Sequence, residues 1–291
     1  MEFKEAYNEK LLNLYDFVIK FLDDHNLRWW AAYGTGIGAV RHHGLIPWDD
    51  DIDLHMLRDD YEKLLLMKDE IRSYGFDLLS AHDESSPLFF IKIIDKRTTF
   101  VERKELPLNS GIFIDIFPLD YVGEDSDRFH YNYFHLRRWQ LLYEYTYFEV
   151  SLIDVIKALK QRSGNATRFL YSIIVPKFVR SFIRKKVIGW SAKVYNPQKE
   201  KYLTTYFNAY SARVLFDSTW FDGYETLEFE GRTIKLPLHY DNYLQLIYGD
   251  YMTPPKDIPQ SSHWHYYINL KEKISIAEVK SRVKKGIIVE F

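Results

Sequence analysis

One stretch limits what this chain can fold into: Tyr33-Gly34-Thr35-Gly36-Ile37-Gly38-Ala39-Val40-Arg41-His42-His43-Gly44-Leu45-Ile46-Pro47-Trp48-Asp49-Asp50-Asp51-Ile52-Asp53-Leu54. Gly34-Thr35-Gly36 breaks the apolar run before it, and Pro47 rules out a helix through the acidic cluster. A strand over 51–54 remains. Its side-chain period of two puts Asp51 and Asp53 on one face, their Cα atoms ~6.6 Å apart. Carboxylates that close repel one another, and a divalent cation relieves the repulsion. A glycine turn just upstream offers backbone N–H groups to phosphate. Metal plus phosphate is the first reading, with Gly34 and Thr35 on the phosphate.

The bland alternative is a solvated acidic loop. Against it stand Ile46-Pro47-Trp48 and Ile52-Leu54, which frame Asp49, Asp50, Asp51 and Asp53 with apolar residues and so demand a partner for buried charge. An EF-hand fails, because its sixth position falls on Leu54, where the loop needs glycine, and its twelfth on Asp60. Asp115 stands alone in the apolar run Ile112-Phe113-Ile114-Asp115-Ile116-Phe117. It reads either as a core acid bonded to backbone or arginine, or as a third carboxylate from a neighbouring strand; the second is favoured. Lys92, in Phe89-Phe90-Ile91-Lys92-Ile93-Ile94, poses the same question with opposite sign. It either snorkels at the sheet edge or neutralises phosphate or carboxylate. Arg41 and His42-His43 are candidates for phosphate, with surface packing an equal alternative. His263 and His265 lack the cysteine or carboxylate company of a zinc site and read as structural, or at most as a site rim.

At 46% hydrophobic and 27% charged, the 291 residues are globular rather than disordered. The absence of cysteine excludes disulfides, thiolate metal sites and cysteine nucleophiles. The first residues, Met1-Glu2-Phe3-Lys4-Glu5, lead into an amphipathic pattern unlike a signal peptide. No run approaches the ~20 apolar residues of a membrane span. A cytoplasmic protein, soluble or peripheral at the inner face of the membrane, is expected. The net charge of −2 hides a segregation: residues 155–199 hold eleven Lys or Arg and no acid, leaving 28 basic against 41 acidic residues elsewhere. That segment is expected to meet an anionic surface such as phospholipid. Nucleic acid is not expected, because no recognised nucleic-acid module is visible.

Residues 4–24 place Tyr7, Leu11, Leu14, Val18 and Leu22 on one helical face. A strand is expected over 27–33, a short helix over 37–42 and a helix over 58–73. Strands follow over 76–80, 88–95 and 112–117. From 127 to 190 the pattern is helical, aromatic and basic. Phe229-Glu230-Gly231-Arg232 reads as a hairpin turn, and 238–247 as a helix closed by Gly249. The fold class is α+β, divided into a core over 1–124, a helical insertion over 125–225 and a C-terminal segment over 226–291 that packs on the core.

The glycine–acid block resembles the signature of the LicD/fukutin family. The resemblance continues through Ile112-Phe113-Ile114-Asp115-Ile116-Phe117-Pro118-Leu119-Asp120, Phe229-Glu230-Gly231, Tyr243-Leu244 and Tyr248-Gly249-Asp250-Tyr251-Met252. It implies a polymerase-β-like nucleotidyltransferase core with a small mixed sheet. Its Gly-Thr turn would be Gly34-Thr35, its metal-binding acids Asp51 and Asp53, and its third acid Asp115. It also implies transfer of a phospho-alcohol, with phosphocholine first and ribitol or glycerol phosphate as alternatives. The donor would be CDP-linked, the acceptor a sugar hydroxyl of a cell-surface glycan, and the leaving group CMP. Mg²⁺ or Mn²⁺ would bridge the pyrophosphate, and Asp49 or Asp115 would orient the acceptor hydroxyl. The chain departs from relatives around 259–265, where they carry a basic residue and adjacent histidines. Two rivals remain: an Asp-x-Asp glycosyltransferase, which needs neither the Gly-Thr turn nor Asp115, and a non-catalytic membrane-surface or glycan-binding module, for which the acids are dispensable.

Overall fold

The computed structural model describes residues 2–124, 126–161, 165–206, 214–256 and 265–291. Helix α1 (Phe3–Asp24) buries the predicted face, Tyr7, Leu11, Leu14, Val18 and Leu22, and adds Leu12, Tyr15 and Phe21 to it. Strand β1 (Trp30–Ala31) is shorter than expected, because the chain turns helical at Tyr33. Helix α2 (Tyr33–Ile37) therefore carries Gly34-Thr35-Gly36 in its first turn, and a π-helical turn (Gly38–His42) continues it. Gly38 is required there, since a Cβ would lie 2.4 Å from the Gly44 carbonyl.

Strand β2 (Asp53–Leu57) begins two residues later than the sequence suggests, leaving Asp51 just outside it. Helices α3 (Arg58–Leu66) and α4 (Lys68–Ser73) divide the single helix expected over 58–73 at Met67. The order continues with β3 (Phe76–Leu79), β4 (Ile91–Asp95), β5 (Thr99–Val101) and β6 (Phe113–Val122). The main sheet runs β1-β2-β6-β4-β3, with β2 and β6 parallel and the other pairs antiparallel. The sheet is thus mixed and the fold α+β. β6 is buried along nearly its whole length, which explains why it is apolar apart from Asp115 and Asp120.

Helices α5 (Ser126–Tyr145), α6 (Leu152–Lys160), α7 (Asn165–Ile174) and α8 (Arg180–Val194) follow, before β7 (Tyr202–Thr204) and β8 (Phe216–Asp217) extend the sheet from the far half of β6. The hairpin β9 (Tyr224–Phe229) and β10 (Arg232–Pro237) turns through Glu230 (φ 52°) and Gly231 (φ 70°). Two consecutive left-handed residues match the twist of a two-residue hairpin. Helix α9 (Tyr240–Tyr248) ends at Gly249 (φ 68°). β11 (Tyr267–Asn269), α10 (Ile276–Lys284) and β12 (Val289–Glu290) complete the chain, and β11 joins β5 and β12 in a second small sheet. One hydrophobic core runs from α1 through β2, β4 and β6 to β10 and β11.

Candidate functional site

The acids meet where β1 hands over to α2. Asp53 and Asp115 are register partners on the parallel strands β2 and β6, so their side chains leave the same face of the sheet. Lys92 on β4 is the partner of Asp115 on its other side, giving a row of acid, acid and base across three strands. Asp115 N–H donates to the Ile52 carbonyl at 3.0 Å. The backbone of Asp53 is held from both ends: its N–H donates to Thr35 Oγ1 at 2.8 Å, and its carbonyl accepts Ala32 N–H at 2.9 Å.

Asp49, Asp50 and Asp51 precede β2 as half-buried residues, with one carboxylate oxygen of each within 4.8 Å of the others. This trio, rather than Asp51, Asp53 and Asp115, is the tightest carboxylate group among the described residues. The Asp49 carboxylate packs against α2 so closely that a Cβ on Gly34 would lie 2.5 Å from its Oδ2. Tyr7 OH donates to the Asp50 carbonyl at 2.7 Å, and His265 Nε2 lies 3.5 Å from Asp50 Oδ2. Asp53 keeps some exposure, yet burial pushes its carboxyl well above the ordinary range, and Asp51, Asp115 and Asp49 push it further. Tyr7 is raised in the same way, by burial first and then by Asp50, Asp51, Glu102 and Asp115.

Lys92 does not snorkel. It is buried, with Nζ 3.0 Å from Asp115 Oδ1, 3.6 Å from Glu102 Oε2 and 3.0 Å from the centroid of the Phe113 ring. Burial works against its charge, but Asp115 and Glu102 outweigh it and raise its pKa. Arg41 is half-buried beyond the trio, donating to the Tyr251 carbonyl at 2.6 Å and lying over the Trp48 ring at 5.7 Å. This ties the late block around Tyr251 to the acidic one. The hairpin tip does the same: Glu230 Oε1 accepts Leu45 N–H at 2.9 Å, and Glu230 N–H donates to the His43 carbonyl at 2.9 Å.

Sequence reasoning missed several neighbours of the site. Tyr7 read only as a core residue. Glu102 carried no pattern at all. His55 lies two residues beyond Asp53, fully buried, with Nε2 3.0 Å from Tyr243 OH; the same hydroxyl accepts Tyr33 N–H at 3.0 Å. Burial drives the His55 pKa down to about 3, so it is neutral there. Tyr33 adopts φ 46°, a left-handed conformation unfavourable for a bulky residue, and this bond helps hold it at the head of α2. His263 lies outside the described residues.

An α+β protein with carboxylates converging from two parallel strands beside a glycine-containing helix start is the class that fold and site define. Residues 26–158 match the family described as LicD/FKTN/FKRP, nucleotidyltransferase domain. The chain is also similar, at 27% identity over 256 residues, to the lipopolysaccharide cholinephosphotransferase LicD of Haemophilus influenzae, covering 87% of this chain and 92% of that one. An uncharacterised protein of Rickettsia typhi is 28% identical over 121 residues, covering 40% of this chain and 38% of its own. One from Rickettsia prowazekii is 34% identical over 71 residues, 23% of this chain and 27% of that one.

Proposed function

We propose that this chain transfers a phospho-alcohol, phosphocholine first, from a CDP-linked donor to a sugar hydroxyl of a cell-surface glycan, releasing CMP. The observation that carries this reading is the register pairing of Asp53 with Asp115 beside the Asp49–Asp51 trio, with Asp49 and the Asp53 backbone packed on the Gly34-Thr35 helix start. Similarity to a lipopolysaccharide cholinephosphotransferase along most of both chains supports the choice of alcohol and acceptor. The polymerase-β-like reading of the core is favoured by the same parallel β2–β6 pair, with 125–225 as its insertion.

The donor set suits Mg²⁺ or Mn²⁺: carboxylate oxygens only, crowded enough to raise the Asp53 carboxyl, which is the chemistry hard divalent cations take. Asp51, Asp53 and Asp115 would hold the ion. When bound, it supplies charge neutralisation along the pyrophosphate, on which phosphoryl transfer chiefly depends. Thr35 fixes the Asp53 backbone, while the α2 N–H groups beside Gly34 face donor phosphate. Lys92, 3.0 Å from Asp115 Oδ1, holds that carboxylate in position. Asp49 or Asp115 orients the acceptor hydroxyl, and Arg41 is an outer contact for phosphate. A cleft lined by Phe3, Tyr7, Trp48, Asp49, Asp50 and His265 adjoins the acids. Aromatic faces beside carboxylates suit a quaternary ammonium, each cation–π contact adding ~0.5–2 kcal/mol.

The test is CMP release from CDP-choline, CDP-ribitol and CDP-glycerol with and without Mg²⁺. Asp51→Asn and Asp53→Asn should each abolish release and leave the fold intact. Full activity in either variant at saturating Mg²⁺ would end the reading, and so would activity confined to a nucleotide sugar.

A further inference from the structure

Helices α6 and α7 bury their small residues and expose their large ones. α6 turns Val155 and Ala158 inward, and α7 turns Ala166 and Ser172 inward. Leu152, Ile156 and Leu159, at helical spacing on α6, face outward, as do Ile173 and Ile174 on α7 and Phe178 just beyond it. Phe178 is 86% exposed and Ile174 61%. Of the 22 large apolar side chains exposed among the described residues, ten fall between 152 and 182. Exposed apolar residues scattered singly are ordinary, but a concentration on adjacent helices marks an interaction face.

Charge selects the occupant. Arg180, Arg184 and Lys199 are engaged within the protein, on Thr146, on Glu84 and on Asp222. Arg162 lies outside the described residues. Lys157, Lys160 and Arg168 remain exposed on α6 and α7, and Lys177, Lys185, Lys186 and Lys193 follow them exposed, against a single acid, Asp154, at the start of α6. A two-fold pairing of this face with itself would set these cations against one another. No helix among the described residues is long and apolar enough to cross a membrane. Amphipathic helices that combine outward apolar residues with lysines lie in the bilayer interface, apolar side chains below the headgroups and ammonium groups among the phosphates.

We infer that the α6–α7 face, continued by Phe178 and Phe182, docks on an anionic lipid bilayer. This inference stands apart from the transfer chemistry, because it uses none of the residues of the acidic site.

The experiment is co-sedimentation of the full chain with phosphatidylcholine vesicles, with and without phosphatidylglycerol, over rising salt. Binding should require the anionic lipid and weaken as salt shortens the screening length from ~8 Å toward ~3 Å. Two double variants separate the contributions. Lys185→Glu with Lys186→Glu, and Ile174→Ser with Phe178→Ser, should each lower affinity at least ~10-fold, since each basic or buried apolar group contributes measurably at an interface. Both should keep the wild-type melting temperature, because all four side chains are exposed. Absence of binding to anionic vesicles, equal binding to neutral ones, or unchanged binding in both variants would overturn the proposal. Dimers seen in sedimentation equilibrium, dissolved by the serine variant and without vesicle binding, would assign the face to a second copy and overturn it as well.

Discussion

Thr35 Oγ1 accepts the backbone N–H of Asp53 at 2.8 Å, across eighteen residues of chain. The threonine of the glycine turn thus fixes where β2 begins and how its first carboxylate is presented. Its hydroxyl hydrogen remains available to donate elsewhere. A Gly-Thr pair ahead of an acidic strand has a structural reason for its residue types, separate from any contact with phosphate.

Substitution at Thr35 should reveal that role. Thr35→Val keeps the shape but removes the acceptor, leaving a backbone N–H unsatisfied at a cost of about 1–3 kcal/mol. Thr35→Ser keeps the oxygen. Denaturant unfolding should therefore show the valine variant clearly less stable and the serine variant close to wild type, with CMP release following the same order. Equal stability in the two would mean that water replaces the hydroxyl.

Gly34→Ala separates stability from function. The added Cβ meets Asp49 Oδ2 at 2.5 Å, so the carboxylate must move. Alanine is favoured over glycine inside a helix by roughly 0.5–1 kcal/mol, so the melting temperature should hold or rise. Displacing a group in a preorganised site by about 1 Å costs on the order of 100-fold in rate. Wild-type CMP release from the alanine variant would show that Asp49 has no part in the reaction.

Much of the fold is legible from local signals. The α1 face follows from apolar spacing, the β9–β10 turn from Glu230-Gly231, and the end of α9 from Gly249. Asp115 stands out because a lone acid in an apolar strand has few structural uses, and the structure brings it into register with Asp53. What stays hidden depends on contacts distant in sequence. The helix begins at Tyr33 rather than after the glycines, with Tyr243 OH, 210 residues away, accepting the Tyr33 N–H. Glu102 reaches Lys92 only because the chain turns back between β4 and β6. Asp120, further along β6 than Asp115, forms a buried two-pronged pair with Arg58, at 2.8 and 2.7 Å, that ties the start of α3 to β6. Periodicity locates elements and isolated oddities; it does not say which oddities meet.

Lys92→Met removes the cation that serves both Asp115 and Glu102. Breaking a buried pair from one side costs about 3–5 kcal/mol, since charge is left without its partner. Urea unfolding in chelator should show a loss of that size. Added Mg²⁺ should recover part of it if Asp115 belongs to a metal site, because the ion then supplies the missing positive charge. A loss unaffected by Mg²⁺ would confine Asp115 to its pairing with lysine.

Asp60 provides the pH test away from the reaction centre. Its buried side chain accepts Arg28 Nε at 2.6 Å and Lys63 Nζ at 2.9 Å, pinning α3 to the entry of β1. Burial alone would raise its pKa, but the hydrogen bonds from Lys63 and Arg28 and the arginine charge prevail and lower it. A carboxyl whose folded pKa lies below its unfolded value of ~3.9 stabilises the fold above that value and stops doing so as pH falls through the folded pKa. Asp60→Asn should therefore cost about 1–3 kcal/mol at pH ~7, the worth of hydrogen bonds to charged groups, and converge on wild type in acid. Melting temperatures of both proteins from neutral pH down to pH ~3 measure it. A gap that persists undiminished at the acid end would assign the loss to packing rather than charge.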